Sequence, residues 1–289
     1  YFLNFDHQEI QKDCLGYLIP NHIIRKNLYK RLKNFPNITF INKTECLSVN
    51  INSQFASITL SNGKKIKTSL VVAADSRFSK MRSKMGISAF TRDFNKNMIV
   101  CRMKHEKPHK NIAYEFFRYN QTQATLPYIN NQSGIVTTAT KDLASILMRM
   151  DKKKFNKEME SRFNNFFGKM KLLGKRYSYP MVTTYTKKFI SHRFAVIGDA
   201  AVGMHPVTAH GFNLGLKGLD ILIDEIKAAL KNKSDFGLTD TLKNYQYKLH
   251  RVAAPVYLAT NSIINLYTSN ILPAKLTRQF ILRFVNTIK

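Results

Sequence analysis

Glycine is scarce: there are twelve in 289 residues, and no two are separated by a single residue. That spacing excludes a Gly-x-Gly-x-x-Gly turn, the loop that lets a pyrophosphate approach the backbone at the start of a βαβ unit. Acidic residues are scarce too, 18 against 46 Lys and Arg, which leaves a net charge of +28. A charge of that size bears on solubility and association rather than on fold. The Lys residues are spread along the whole chain among Asn and Ile, a compositional bias rather than a basic arm. With no zinc finger, RNP-like motif or leucine-zipper pattern, nucleic acid is not an expected partner. The three cysteines, Cys14, Cys46 and Cys101, stand far apart at no motif spacing, so reduced thiols in a cytoplasmic protein are expected. No Cys/His pair has zinc-site spacing, and His105 and His109 lack a third ligand nearby, so no metal is expected. No window reaches the ~18 apolar residues of a spanning helix. The first residues lack the basic start and apolar core of a signal peptide. Internal repeats and low-complexity tracts are absent as well.

What is present reads as an α/β chain interrupted by an antiparallel sheet. Residues 1–6 alternate loosely, as a strand does. "LGYLIPNHIIRKNLYKRLKNF" reads as a short strand and then a helix, with Pro20 and Asn21 at its start and Ile23, Ile24, Leu28 and Leu32 as its stripe. "NITFIN" reads as a strand. "ECLSVNIN" and "FASITLSNGKKIKT" read as antiparallel strands turned at Asn62-Gly63. From about residue 94 the β-branched and aromatic segments suggest an antiparallel sheet. "KDLASILMRM" and "KKKFNKEMESRFNNFFGKMKLLG" read as helices, and "RYSYPMVTTYTKKFI" as a strand. Tyr177, Tyr179 and Tyr185 share one face of that strand, as core or cavity lining. Two mostly helical pieces close the chain.

Two places share one local logic. "SLVVAADSR" ends an apolar strand at Asp75, and "RFAVIGDAA" ends another at Asp199. Such apolar runs suit strands buried on both faces, and in open α/β sheets ligands sit beyond the carboxyl ends of such strands. Four of the twelve glycines fall between Gly198 and Gly215, where backbone must lie against something. The helix after Gly211 presents an N-terminus to an anion or an electron-rich ring edge. Taken alone, Asp75 reads as a turn or helix cap. Asp199 differs, because Gly198, Asp199, Pro206, Gly211 and Asn213 form one ordered motif. His205 and His210 read equally as hydrogen-bonded loop histidines and as catalytic candidates.

"GDAAVGMHPVTAHGFNLGL" resembles the second flavin-binding motif of the single-component FAD-dependent aromatic hydroxylases. "VVAADSRFSKMR" resembles their strand–Asp–Gly motif, matching at Ala74, Asp75, Arg77, Ser79 and Arg82. The C-terminal "LKNYQYKLHRVAAPVYLATNSIINLYTSN" resembles the helical tail of the ubiquinone-biosynthesis branch. The resemblance spans essentially the whole chain. It implies a Rossmann-like FAD-binding domain, lacking its N-terminal part, interrupted by an antiparallel substrate domain and followed by C-terminal helices. The expected divisions are residues 1–92 and 191–235 for the FAD-binding parts, 93–190 for the substrate domain and 236–289 for the tail.

The resemblance further implies that Asp199 binds the FAD ribityl chain, with Gly198 also in the cofactor site, and that Gly211, Phe212 and Asn213 lie beside the isoalloxazine ring. It places Asp75 near the pyrophosphate and the path of NAD(P)H, and Arg25 on a helix that touches the flavin. His205 and Pro206 are the catalytic candidates. The implied reaction uses NAD(P)H and O2 to form a flavin C4a-hydroperoxide, which a phenolic ring of a polyprenylated quinone precursor attacks. The cofactor carries the hard chemistry while the protein positions the ring and excludes water.

The chain departs from the family pattern. The Gly-rich βαβ unit is missing and the chain begins at Tyr1 without Met, so a fragment or processed product that holds FAD poorly is expected. Ser76 replaces the usual Gly after the Asp, Val202 stands where many relatives have His, and Thr208-Ala209-His210 replaces a Gly-rich form. "PAKLTRQFILRFVNTIK" sets Leu276, Phe280, Ile281 and Phe284 among Lys275, Arg278, Arg283 and Lys289. That segment suits either a helix on the anionic inner face of a membrane or a core-packing helix with a solvated basic face. Other quinone-biosynthesis enzymes are further candidate partners. Two alternatives remain: a truncated, non-catalytic homologue that binds lipid or a partner enzyme, and a related flavoprotein reductase.

Overall fold

The computed structural model describes residues 4–118, 121–206, 209–269 and 271–288. The chain divides into two compact units. An α/β unit holds Ile41–Phe94 and Met181–Ile264; a sheet unit holds Tyr1–Phe40, Asn95–Pro180 and Asn265–Lys289.

The α/β unit opens with an antiparallel meander of β1 (Cys46–Ile51), β2 (Ala56–Leu60) and β3 (Lys65–Thr68). Its tight turn falls at Asn62-Gly63, where Gly63 takes φ +80° and the Asn62 side chain accepts from the Lys64 N–H at 3.1 Å. A positive φ of this kind is the reason for glycine there. A second sheet places β11 (Phe194–Val196) between β10 (Ile190–Ser191) and β4 (Val71–Ala73). β11 and β4 are parallel, with Val196 opposite Ala73, so both end on the same side. Phe194, Ala195 and Val196 are fully buried, as the unbroken apolar run requires.

Around this sheet pack α2 (Lys80–Lys84), α5 (Gly211–Lys231) and the greater part of α6 (Thr239–Thr268). α5 buries Leu214, Gly218, Ile221, Leu222 and Ala229, the three-to-four spacing of a helix with one apolar face. Gly218 admits Leu249 of α6, whose methyl would lie 3.3 Å from a Cβ at that position. Tyr245 of α6 is buried and donates to the Val196 carbonyl at 2.7 Å. Just before β11 the buried Arg193 guanidinium donates to the carbonyls of Ser53 and Ser69 and pairs with the Asp235 carboxylate. One side chain thereby gathers three loops.

In the sheet unit the strands run β9-β5-β8-β7-β6: β9 (Met170–Thr186), β5 (Ala89–His105), β8 (Gln132–Thr140), β7 (Gln121–Pro127) and β6 (Tyr114–Arg118). The ends of β5 and β9 belong to the α/β unit, where β12 (Val202–Gly203) pairs with Thr184 and Tyr185. Helices α3 (Lys141–Arg149) and α4 (Lys152–Arg162) contribute Leu147, Phe155 and Met159 to a core shared with Ile99, Met103 and Ile135. α1 (Asn21–Leu32) and α7 (Leu272–Ile288) complete this unit. α1 begins at Asn21, as its sequence suggested, yet buries no residue.

The expected class holds: α/β, with an antiparallel sheet and C-terminal helices. Several local expectations do not. The strands expected at residues 1–6, before Pro20 and at "NITFIN" are absent among the described residues, residues 1–3 lying outside them. Leu18, Ile38 and Phe40 there remain exposed, and an extended segment without a paired neighbour has no ladder to form. The helix expected across residues 152–174 stops at Arg162. Asn164, Asn165 and Gly168 turn the chain with positive φ, and residues 170–174 open β9 instead. Tyr177 and Tyr179 are exposed rather than core or cavity lining; only Tyr185 is half-buried.

Candidate functional site

Because β4 and β11 are parallel neighbours, the turns that follow them lie side by side. The Ile197 N–H donates to the Ala73 carbonyl at 3.0 Å, carrying the pairing to the edge of both turns. Asp75 follows β4. Its carboxylate accepts from the Ser79 hydroxyl and from the Met81 N–H. Ser79 in turn accepts from the Arg82 N–H at 3.0 Å and so caps α2. The Asp75 carboxylate is therefore committed to its own short helix. Ser76, next in the chain, is held at φ +93°.

Asp199 follows β11 in a 3-10 turn, Gly198–Ala200, that opens with Gly198 at φ +57°. It turns to a different partner. Arg77 donates to Asp199 Oδ2 through Nη2 at 2.7 Å and Nε at 3.2 Å. Its remaining nitrogen, Nη1, donates to the Val182 carbonyl of β9 at 2.7 Å. Gly203 allows this placement, since a Cβ there would lie 2.8 Å from Arg77 Cβ. Arg82 makes a second tie: Nη1 donates to the Ala200 carbonyl at 2.8 Å and Nη2 to the Arg77 carbonyl at 3.2 Å. Burial lowers the Arg82 pKa, and the Asp75 charge opposes that shift. The two turns are thus cross-linked by two arginines, through partners 122 and 118 residues away in sequence.

The start of α5 closes on the same turn. A Cβ at Gly215 would lie 3.4 Å from Gly198 Cα, whereas Cβ atoms built at Gly198 and Gly211 meet nothing within 4 Å. Gly215 thus serves packing, and the other two leave open backbone. Phe212 and Asn213 are exposed in the first turn of α5, where backbone N–H groups have no intrahelical acceptor. His205 is buried and meets the Phe94 ring edge-on at 5.2 Å, with the Arg92 guanidinium 4.4 Å from the Phe94 ring centre. Pro206, next to it, is exposed. Thr208 lies outside the described residues. The structure thus gathers Asp75, Gly198, Asp199, Gly211, Phe212 and Asn213 in one unit. Arg25 is exposed on α1 of the sheet unit.

A carboxylate oxygen, open glycine backbone and a helix start together suit a polyol chain and an electron-rich ring edge. The model of the FAD binding domain family matches residues 5–259. The chain belongs to that family. Among curated proteins it is similar to the ubiquinone hydroxylase UbiM of Neisseria meningitidis, 39% identical over 274 residues that make up 95% of this chain. It is also similar to the ubiquinone hydroxylase UbiL of Rhodospirillum rubrum, 32% identical over 279 residues and 96% of this chain. The chain spans 59% of the length of the first and 65% of the second. Among solved structures it shares its fold with PqsL of P. aeruginosa, solved in complex with 2-aminobenzoylacetate. The TM-score is 0.76 at 17% identity, covering 87% of this chain and 71% of that one.

Proposed function

We propose that this chain forms part of an NAD(P)H-dependent flavin monooxygenase that hydroxylates an aromatic ring of a polyprenylated quinone precursor. The observation that carries this reading is the pair of cross-linked strand-end turns facing the start of α5. The names of the 39% and 32% identical relatives support the substrate class. FAD fits the residues present, on a backbone open at Gly198 and Gly211. Both Arg77 bonds to Asp199 end on Oδ2, which leaves Oδ1 to accept from a ribityl hydroxyl. The N–H groups at Gly211, Phe212 and Asn213 would face the flavin ring edge. When bound, FAD supplies the electron transfer and O2 activation that the side chains cannot. The residues' own work is to orient it and to keep the reacting ring away from water. Asp75 contributes through the turn it shapes rather than as a direct ligand, because its carboxylate is already engaged within α2.

The domain reading stays with this proposal: FAD held by residues 1–92 and 191–235, substrate by 93–190. Cytoplasmic location with peripheral contact at the inner face of the membrane belongs to it too. Among the described residues no helix is long and apolar enough to cross a membrane. On α7, Leu272, Leu276 and Phe280 are exposed, beside Lys275 in a chain of net charge +28. The Arg278 side chain turns instead to the Leu266 and Ser269 carbonyls at the end of α6, while those of Arg283, Phe284 and Lys289 lie outside the described residues. The intact protein should bind FAD, consume NAD(P)H and O2 with a polyprenylated phenol, and place one atom of 18O2 in the product. A product without 18O would point to a reductase instead. Flotation with anionic vesicles tests the membrane contact, and no binding at low salt would refute it.

A further inference from the structure

Resting on the FAD reading above, we propose that Arg77 is the positioning residue of the flavin site, aiming Asp199 at the ribityl chain by holding one of its two oxygens. A guanidinium facing a carboxylate commonly bonds both oxygens through parallel N–H groups. Here the fork converges on one: Nε and Nη2 both reach Oδ2, and Nη1 is drawn away to the Val182 carbonyl. The carboxylate is thereby fixed in orientation while Oδ1 stays available.

Three features hold Arg77 in this pose. Its carbonyl accepts from the buried Arg82, its Cβ fits against Gly203 without room for a side chain there, and β9 anchors its third nitrogen. The pair itself is half open, with side chains 26% and 38% exposed. Exposed pairs of this kind contribute little to stability, so the fold has small need of it. Asp199 sits on a three-residue turn, and among the described residues Arg77 alone holds its carboxylate. Without Arg77 the side chain is free to rotate, and the ligand must supply the order that the arginine now provides.

The test is a double-mutant cycle on the intact protein with Arg77→Met, Asp199→Asn and the pair together. FAD dissociation constants are read from flavin fluorescence, ADP is the control ligand, and thermal unfolding of the apoprotein is the folding control. Arg77→Met is expected to weaken FAD about tenfold or more and to leave ADP affinity unchanged. In the Asp199→Asn background the same substitution should cost less than about twofold. Arg77→Lys, which keeps the charge, should recover part of the loss, and it carries the test if the Met variant does not fold. An equal cost of Arg77→Met in both backgrounds overturns the proposal, because Arg77 would then act without Asp199. If wild type binds FAD but Asp199→Asn binds it equally well, the placement of FAD at Asp199 falls and the proposal with it. If the intact wild type binds no FAD, the flavoenzyme reading itself fails.

Discussion

The turns after β4 and β11 start from the same sequence logic, an apolar strand running into an aspartate, and reach opposite ends. Asp75 folds back on its own helix and spends its acceptors on Ser79 and Met81. Asp199 reaches across to Arg77, which comes from the other turn. In the proposed site one carboxylate shapes the turn and the other is presented by it. The difference arises downstream of the aspartates. Ser79 lies four residues after Asp75, in reach for a local cap, whereas Asp199 is followed by Ala200, Ala201 and Val202, which offer no side-chain donor.

The strongest way to break the comparison is to remove the support common to both turns. Arg193 precedes β11 and is buried, holding Ser53, Ser69 and Asp235. Arg193→Ala empties a buried site, leaves the Ser53 and Ser69 carbonyls without their arginine donor and leaves the Asp235 carboxylate with the Gly237 N–H alone, and a loss of about 3 kcal/mol is expected in urea unfolding. Hydrogen bonding from Arg193 also holds the Asp235 carboxyl below its usual range. A depressed acid contributes stability that is present above its unfolded value and lost as pH falls through its folded one. Stability of the wild type should therefore decline on the acid side of the ordinary Asp range, and Asp235→Asn should flatten that limb. Exposure of the Asp235 side chain keeps the limb shallow.

Cutting the tie between the turns comes next. Arg82→Met keeps much of the buried stem but leaves the Arg77 carbonyl without its arginine donor and the Ala200 carbonyl with the Thr186 hydroxyl alone. A loss of about 1 to 3 kcal/mol is expected, together with weaker FAD binding, because both turns lose their common register. Stability loss with unchanged FAD affinity would show that Arg77 alone aligns them.

The aspartates themselves then separate the two roles. Asp75→Ala should cost about 1 kcal/mol of stability through the α2 start, whereas Asp199→Ala should cost little stability and most of the FAD affinity. Thermal unfolding and flavin fluorescence, measured side by side, give the pattern. The reverse pattern would exchange the roles assigned here.

Much of this was legible in residue order. Apolar strands ending in Asp, the Asn62-Gly63 turn, the helix start at Gly211 and the final helices all follow from local pattern. The cross-links were not, although Arg77 and Arg82 stood in a recognisable motif, because nothing local says that an arginine at 77 will meet an aspartate 122 residues later. That pairing depends on the parallel neighbours β4 and β11, a long-range choice. The over-long helix failed for the opposite reason. Residues 152–174 keep a helical texture throughout, but Asn164, Asn165 and Gly168 reverse the chain, and Met170 and Leu172 then pack at the two-residue period of a strand. Nor do the described residues 4–6 of the alternating start form a strand, since alternation without a partner has no force.

The smallest expected effect concerns Ser76, which stands where the resembling motif has glycine. It holds φ +93°, a region where an L side chain is strained by about 1 to 2 kcal/mol relative to its usual conformations. Its exposed side chain makes no hydrogen bond among the described residues that would offset this. Ser76→Gly relieves the strain but gives the unfolded chain more freedom, which takes back about 0.5 to 1 kcal/mol. The net expectation is a gain below about 1 kcal/mol, read as a small rise in unfolding midpoint. FAD affinity should stay level, because Arg77 remains pinned by Arg82, Val182 and Asp199. A fall in affinity with a rise in stability would instead mean that the strained serine helps to hold Arg77 in place, and the division between the building turn and the presenting turn would narrow to one residue.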